Sequence, residues 1–304
     1  MGINNFSKFI KAQCGMKKDE FTKIIKVDKL KGKIMGIDCN ELMHAYKHNT
    51  DNYLSTYKGL ISYLVKNGIL PVFFIDGPKN DFKEDTLNQR KKYRDKAIKN
   101  GTYTGPEKKD FEIIQSFFDI YDVPYVISNN IDAEFIGCNL ANRSRNVVGF
   151  MSGDSDCFAH GCKRIFNRFI DYSNNELKYY RFKDILVETG YTKENFKKAC
   201  VCLGTDYNGS GIKGYGPAKI SSDTIESLWE RKAKDVDLKA YEIFNPSGDK
   251  FDYKKYIHST TPKKYKYIFK KDIKYIKTNI KIIRRNLKNP ECKELFEELS
   301  DLID

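Results

Sequence analysis

The sequence predicts an α/β fold with a mainly parallel sheet, and three observations carry that prediction. Short apolar runs alternate with helix-compatible stretches, as in strand–helix–strand units. Three of those runs end in acids. One pair of β-rich runs flanks a polar turn and reads as an antiparallel hairpin. In order, residues 33–38 (Lys-Ile-Met-Gly-Ile-Asp) form a first strand ending in Asp38. Tyr53, Leu54, Tyr57, Leu60, Ile61, Leu64 and Val65 then recur at helical spacing, with Gly68 as a natural stop. Residues 69–75 (Ile-Leu-Pro-Val-Phe-Phe-Ile) form a second strand ending in Asp76. Residues 82–100 are charged and helix-compatible, closed by Gly101, and Pro106 opens a helix whose Phe111, Ile114, Phe117 and Phe118 face a core. Tyr125–Ser128 is a short strand, Asp132-Ala-Glu134 begins the next helix, and residues 147–151 lead into Ser-Gly-Asp154-Ser-Asp156. Residues 164–182 flank Ser173-Asn174-Asn175 as a hairpin, and beyond about residue 183 the pattern is helical. Near the end, Phe269, Ile273, Ile276, Ile280, Ile283 and Leu287 form the apolar stripe of a basic amphipathic helix.

Composition narrows the class. The chain has 304 residues, 40% of them hydrophobic and 31% charged, enough for a substantial core in one large or two small domains. Mean hydropathy is −0.60, and no run approaches the ~18 apolar residues of a membrane span. The N-terminus lacks an apolar signal core and, with Phe6 in place of Ser or Thr, a myristoylation pattern. The eight cysteines form no Cys-x-x-Cys and have no zinc-finger spacing, so they read as reduced thiols of an intracellular protein. Net charge is +13, which points to a polyanionic partner. Residues 250–288 carry fourteen Lys/Arg against Asp252 and Asp272, and residues 79–109 carry ten against five acids. The remainder is close to neutral or acidic.

That remainder holds the chemistry. Ligands of open α/β sheets bind beyond the carboxyl ends of the strands. One strand-terminal aspartate is commonly a helix cap, but Asp38, Asp76 and Asp154/Asp156 on three strand ends converge. Packed anions repel unless a cation sits among them, and hard oxygen donors without His or Cys select Mg²⁺ or Mn²⁺. Asp132, Glu134 and Asp206 add three more carboxylates, more than one ion needs, so a two-metal site is expected. A further element runs from Gly204-Thr-Asp206-Tyr-Asn to Gly211-Ile-Lys213-Gly214-Tyr-Gly216-Pro-Ala-Lys219. Its glycines admit a close phosphate, and Pro217 suits the first turn of an anion-attracting helix.

Taken in order, Met1-Gly-Ile-Asn-Asn-Phe, Ile37-Asp38, Phe74-Ile-Asp76-Gly-Pro, Asp132-Ala-Glu134, Ser152-Gly-Asp154-Ser-Asp156-Cys-Phe-Ala-His-Gly161, Leu203-Gly-Thr-Asp206-Tyr-Asn and Gly211-Ile-Lys-Gly-Tyr-Gly-Pro217 resemble the flap-endonuclease (XPG-type) family of structure-specific 5′-nucleases. The resemblance implies a PIN-like nuclease core over residues 1–198, with a gateway helix and short arch at 79–105. A helix–three-turn–helix DNA-binding motif at 199–235 and a basic helical region at 236–304 follow. It implies two Mg²⁺ ions, replaceable by Mn²⁺, and cleavage near single-strand/double-strand DNA junctions in replication, repair or recombination. Asp38, Asp76, Asp132 and Glu134 match the family's first metal site, and Asp154, Asp156 and Asp206 its second. Lys83 and Arg90 match a catalytic basic pair over the scissile phosphate, with Arg94 one turn on. Gly2 would lie near the site. Gly204, Gly211, Lys213, Gly214, Gly216 and Lys219 would grip DNA, and the Gly211–Gly216 loop resembles a monovalent-cation and phosphate clamp.

The chain also departs from the pattern. Where relatives stack a tyrosine on a base, His44 stands here, with Tyr46 two residues on. Asp132 replaces a common glutamate. The short stretch from Arg94 to Asp132 leaves room for a gateway helix and little for a helical cap, which would admit gapped, bubble or four-way substrates. No sliding-clamp box is found, so clamp binding is not expected. A monomer acting on DNA without a membrane, in the nucleus or a viral replication site, is the expectation. The abundance of Lys, Ile, Asn and Tyr fits an AT-rich genome such as that of a large DNA virus or a protist.

Overall fold

The structure is a computed structural model that describes residues 2–50, 52–78, 84–244, 252–262 and 273–303. The elements run α1 (Phe6–Cys14), β1 (Thr22–Lys26), β2 (Ile34–Asp38), α2 (Cys39–Asn49), α3 (Tyr53–Lys66), β3 (Leu70–Ile75), α4 (Glu84–Lys99), α5 (Lys108–Ile120), β4 (Tyr125–Ile127) and α6 (Ala133–Arg143). There follow β5 (Val147–Met151), the single-turn α7 (Asp156–Ala159), β6 (Arg164–Asp171), β7 (Glu176–Arg181), α8 (Phe182–Thr189), α9 (Lys193–Leu203), α10 (Ile225–Lys232), α11 (Asp235–Phe244), α12 (Ile273–Asn286) and α13 (Pro290–Ser300).

The seven strands form one sheet in the order β1-β7-β6-β5-β2-β3-β4. The pairs β6–β5, β5–β2, β2–β3 and β3–β4 are parallel, and β7 runs antiparallel to both its neighbours. The predicted mainly parallel sheet and its added hairpin are both present. β1 was not legible: Thr-Lys-Ile-Ile-Lys is a short outer strand with Ile24 exposed, and an edge strand of this kind carries little apolar signal.

Burial on both faces explains the unbroken apolar runs of β2, β3 and β5, every residue of which is buried. Successive strand residues face opposite ways. Phe73 stacks on Phe118 of α5 (4.3 Å between centroids) and meets Tyr57 of α3 edge-on. Phe74 instead meets Phe150 on the side covered by α6, which lies across β2, β3 and β5. α6 comes this close because Gly137 lacks a side chain: a Cβ there would stand 2.1 Å from the Phe150 ring.

The described part of the basic C-terminal helix begins at Ile273; Phe269 and the rest of 263–272 lie outside the described residues. Ile276, Ile280 and Ile283 are buried where α12 packs on α3 and β3, while Lys274, Lys277, Lys281 and Lys288 are exposed. Arg284 donates from Nε to the Val65 carbonyl (2.7 Å) and from Nη2 to that of Lys66 (2.9 Å), at the carboxyl end of α3. α13 packs on α5 through Phe296 and Phe117. Residues 252–262 cover the free edge of β4: Ile257 bridges Ser128, and His258 N donates to the Ile127 carbonyl at 2.8 Å. No described helix is long and apolar enough to cross a membrane.

Two local expectations change. α5 starts at Lys108, with Glu107 as its N-cap, two residues after Pro106. Pro217 does not open a helix: Lys219 N bonds to the Gly216 carbonyl in a single turn, and the next helix begins at Ile225. The 204–224 segment between α9 and α10 is a chain of turns, with Gly204, Gly209, Gly211 and Gly214 all at positive φ. Glycine is the residue that enters that region without strain.

Candidate active site

Four adjacent parallel strands, β5-β2-β3-β4, deliver six of the seven predicted acids at or beyond their carboxyl ends. Asp38 closes β2 and caps α2, its Oδ1 accepting from Glu41 N at 3.0 Å. The cap reading therefore holds for this residue, and capping uses Oδ1 alone. Asp76 follows β3: its amide is held by Asn40 Oδ1 (2.9 Å), and its own Oδ1 accepts from Ala133 N (2.7 Å) at the start of α6. Both carboxylates sit at helix N-termini, where the backbone dipole favours anions. Asp132 is the N-cap residue of α6 and Glu134 lies in its first turn. Beyond β5, Ser152 Oγ donates to Asp38 Oδ2 (2.8 Å), Asp154 N donates to Ser152 Oγ (3.0 Å), and Asp156 N donates to Asp154 Oδ1 (3.0 Å). These bonds fold the Ser-Gly-Asp-Ser-Asp turn back over the end of β2.

The acids feel one another. Burial first, then the charges of Asp76 and Asp154, raises the Asp38 carboxyl well above the ordinary range, against the bond from Ser152. Burial likewise raises Glu134, followed by Asp154, Asp132 and Asp38. Tyr207 donates its hydroxyl to Asp132 Oδ2. Burial and then Asp132 raise that phenol, with Glu134 and Asp156 adding to the shift. Six of the seven predicted carboxylates thus share one electrostatic neighbourhood. Asp206 is half-buried beside Tyr207 and adjoins the group through that residue. Among the described residues, no three His, Cys, Asp or Glu side chains already stand as the ligand set of one ion. The acids are gathered but not drawn onto a point. Their chemistry, hard oxygen donors with no His or Cys among them, fits a divalent ion such as Mg²⁺ or Mn²⁺.

Gly2 lies against this group. At φ +108°, a Cβ on it would stand 2.0 Å from Asp154 Oδ1 and 2.6 Å from Ser155 Oγ. The glycine loop also adjoins the N-terminus, for Asn4 N bonds to the Gly204 carbonyl (2.9 Å) and Asn4 Nδ2 to that of Gly209 (2.7 Å). A Cβ on Gly211 would meet the Cys202 carbonyl at 2.3 Å. Lys213, Gly214, Gly216 and Lys219 are exposed. His44 is exposed on α2, whereas Tyr46 is half-buried and packs edge-on against Tyr57 at 5.1 Å. Lys83 lies outside the described residues. Arg90 lies on α4, and Arg94, one turn on, is exposed beside Asp95 at 3.8 Å.

Several contributors had no assigned role in the sequence. Ser152 and Tyr207 stand inside recognised motifs, but only the fold shows what they bond. Asn40 and Glu41 stand two and three residues after Asp38. Arg168, ion-paired to Glu41 from β6, had no local signal at all.

Two family models match the chain: the XPG N-terminal domain over residues 1–97 and the XPG I-region over residues 122–206, together more than half of it. Flap endonuclease 1 of Entamoeba histolytica is 24% identical over 252 residues, covering 71% of this chain and 65% of the relative's length. Flap endonuclease 1 of Methanococcus aeolicus is 25% identical over 255 residues, covering 71% and 75%. Among solved structures, flap endonuclease-1 from Methanococcus jannaschii has a TM-score of 0.58 at 17% identity, covering 88% of this chain and 96% of that one. Human GEN1 in complex with Holliday junction DNA has a TM-score of 0.55 at 15% identity, covering 88% and 75%. These two neighbours share the fold. With the paired family models, the shared sheet and the gathered carboxylates, the chain belongs to the XPG-type flap-endonuclease family.

Proposed function

We propose that the protein is a Mg²⁺-dependent, structure-specific 5′-nuclease that hydrolyses phosphodiesters at single-strand/double-strand DNA junctions, as a 5′-flap endonuclease and 5′→3′ exonuclease. The observation that carries this reading is the gathering of six carboxylates from four neighbouring strand ends. In it, Asp38, Asp76, Asp132 and Glu134 would hold one ion, and Asp154, Asp156 and Asp206 a second. Two bound ions would polarise the phosphodiester and lower the pKa of the attacking water. Tyr207 fixes the Asp132 carboxylate through its hydroxyl, and Ser152 fixes Asp38. Lys83 and Arg90 neutralise charge on the reacting phosphate, with Arg94 on the same helix face. The turns from Gly204 to Lys219 grip the phosphates of a duplex arm and hold a monovalent cation at Gly211–Gly216. His44, being exposed, is the better stacking candidate than the packed Tyr46.

The test is cleavage of an end-labelled 5′-flap duplex. Cutting in Mg²⁺, its loss in EDTA, and a fall of at least a hundredfold in Asp154→Ala are expected. No Mg²⁺-dependent cutting by the wild type, or undiminished cutting by the variant, would refute the proposal.

A second reading, a junction resolvase or bubble/gap endonuclease of the same family, is favoured by one feature. α5 packs on the core through Phe117 and Phe118, so on its carboxyl side α4 is joined to the body of the protein by the short 100–107 connection. That leaves little room for a cap that selects free 5′ ends. Flap, bubble, gapped and four-way substrates compared in one assay separate the readings, and paired symmetric nicks on the four-way junction favour the resolvase.

A further inference from the structure

A second cation-rich surface lies at the opposite end of the sheet. Strand β5 spans five residues from Val147 to Met151, so the two ends are roughly 15 Å apart along the strand. At the far end a concavity of about 870 Å³ opens between the residues before β2, the end of α6, the starts of β5 and β6, and the start of α8. Eight of its sixteen lining residues are Lys or Arg, and none of the sixteen is Asp or Glu. Lys29, Arg145, Lys183 and Lys193 are exposed on the rim, while Lys163 and Arg164 are recessed.

Few of these charges are neutralised by the groups they bond. Lys163 Nζ donates to the Ser144 carbonyl (2.9 Å) and Lys33 Nζ to that of Arg145 (3.3 Å). Such carbonyls orient an ammonium without cancelling it. Arg181 does have a carboxylate partner, Asp184. Burial, and then Arg164 and Lys33, holds the Lys163 ammonium below the ordinary lysine range against the pull of Cys162. The floor is apolar, with Leu30, Val147, Val148, Phe182 and Leu186.

We propose that this basin binds the sugar–phosphate backbone of a single nucleic-acid strand, at a place separate from the carboxylate site. A groove of one sign focuses the field on a polyanion. Its volume is that of a ligand pocket, which suits a few flexible nucleotides. A stiff duplex across the mouth would leave Lys163 and Arg164 out of reach. Single-strand sites are built on such a positively charged groove that tracks the backbone. The strand would be an arm or tail of the substrate that leaves the cutting site and passes around the sheet. The path of that strand rests on the proposed nuclease activity, whereas the binding of a strand in the basin is tested apart from it.

The test is binding of fluorescein-labelled (dT)₂₀ to the full chain in EDTA, so that no strand is cut. The variant carries Lys29→Gln, Arg145→Gln, Lys183→Gln and Lys193→Gln. The control loses the same charge from scattered exposed sites, through Lys8→Gln, Lys11→Gln, Lys66→Gln and Lys109→Gln. The basin variant should bind about tenfold more weakly at 100 mM salt, its log–log salt slope shallower by up to ~2.8, at ~0.7 for each phosphate no longer neutralised. The control should change by about twofold or less. Equal losses in the two proteins, or none in the basin variant, would overturn the proposal. Stabilisation by millimolar dAMP that (dT)₂₀ does not reproduce would assign the basin to a free nucleotide and overturn it too. If the fourfold variant does not fold, Lys183→Glu and Lys193→Glu taken singly should each weaken binding by more than the control does, with a slope shallower by ~0.7. Cutting of a short flap by the basin variant in Mg²⁺ is read separately, so a failure of the nuclease proposal and a failure of this one are distinguishable.

Discussion

Tyr207 and Gly2 act on the site through single atoms. The Tyr207 hydroxyl is bonded to Asp132, and partners of ligating groups are typically worth 10–100-fold in metal affinity. Tyr207→Phe should therefore raise the Mg²⁺ concentration for half-maximal cleavage by about tenfold or more, while cleavage at saturating Mg²⁺ stays near the wild-type rate. An unchanged Mg²⁺ titration would remove Tyr207 from the site. Gly2 has positive φ, and a Cβ there would collide with Asp154. Gly2→Ala should push the Asp154 turn aside and reduce cleavage by more than tenfold, with the strain costing about 1–3 kcal/mol, read as a lowered urea midpoint. Asp38, Asp76 and the Asp154/Asp156 pair were legible because each follows an apolar run, and a parallel strand has only one end at which a ligand binds; Asp132, Glu134 and Asp206 stood out through the motifs that carry the family resemblance. Tyr207 and Arg168 were not, since their partners lie 75 and 127 positions away in the chain and no periodicity joins them.

At the scale of elements, α12 separates packing from charge on two faces of one helix. Its apolar face was legible as a repeated step of three and four residues, and Ile276, Ile280 and Ile283 are indeed buried. What no pattern revealed is where that face docks, or that Arg284 reaches the last carbonyls of α3. A cation at a helix carboxyl end is worth about 0.3–1 kcal/mol, more when partly buried, and its hydrogen bonds to the carbonyls add to that. Arg284→Ala should therefore lower unfolding free energy by roughly 1–2 kcal/mol, against less than about 0.5 kcal/mol for the exposed Lys281→Ala. Equal denaturant midpoints for the two variants would show that the capping interaction contributes nothing. The opposite face makes a different prediction. Replacing Lys274, Lys277, Lys281 and Lys288 by Gln should leave the denaturant midpoint in place and flatten the salt dependence of duplex binding by up to ~3.6 in log–log slope, at ~0.9 for each phosphate. An unchanged slope would assign the face to solvation. The sheet was legible strand by strand, except for β1, whose pairing with β7 rests on backbone bonds rather than on an apolar run. The Pro217 helix failed because a favourable first residue is not enough. Ser221, Ser222, Asp223 and Thr224 soon follow it, residues that favour turns and caps over helix interiors, and Ser221 and Thr224 accept from each other's backbone amides in a turn instead.

Across the whole molecule two electrostatic trends oppose each other, and metal binding is where they separate. With a net charge of +13, the folded chain repels itself, and deprotonation at higher pH relieves that repulsion. The site runs the other way. The Asp38 and Glu134 carboxyls are raised above their ordinary range when folded. At low pH each is neutral in both the folded and the unfolded chain, so neither penalises folding. Above the unfolded value of ~4, the unfolded chain releases protons that the folded chain keeps, and stability falls until the folded groups ionise too. A divalent ion bound to the ionised forms cancels that loss and adds its own linkage, about 2.7 kcal/mol at a hundred times its Kd. The thermal midpoint in EDTA should therefore fall from pH 5 to pH 8 relative to an Asp38→Asn/Glu134→Gln variant, in which the local term is absent and the global one remains. Mg²⁺ should raise the wild-type midpoint by several degrees at pH 8, by much less at pH 5, and scarcely at all in the variant at either pH. A Mg²⁺ increment independent of pH, or equal in the two proteins, would mean that the ion stabilises the chain somewhere other than at the gathered carboxylates.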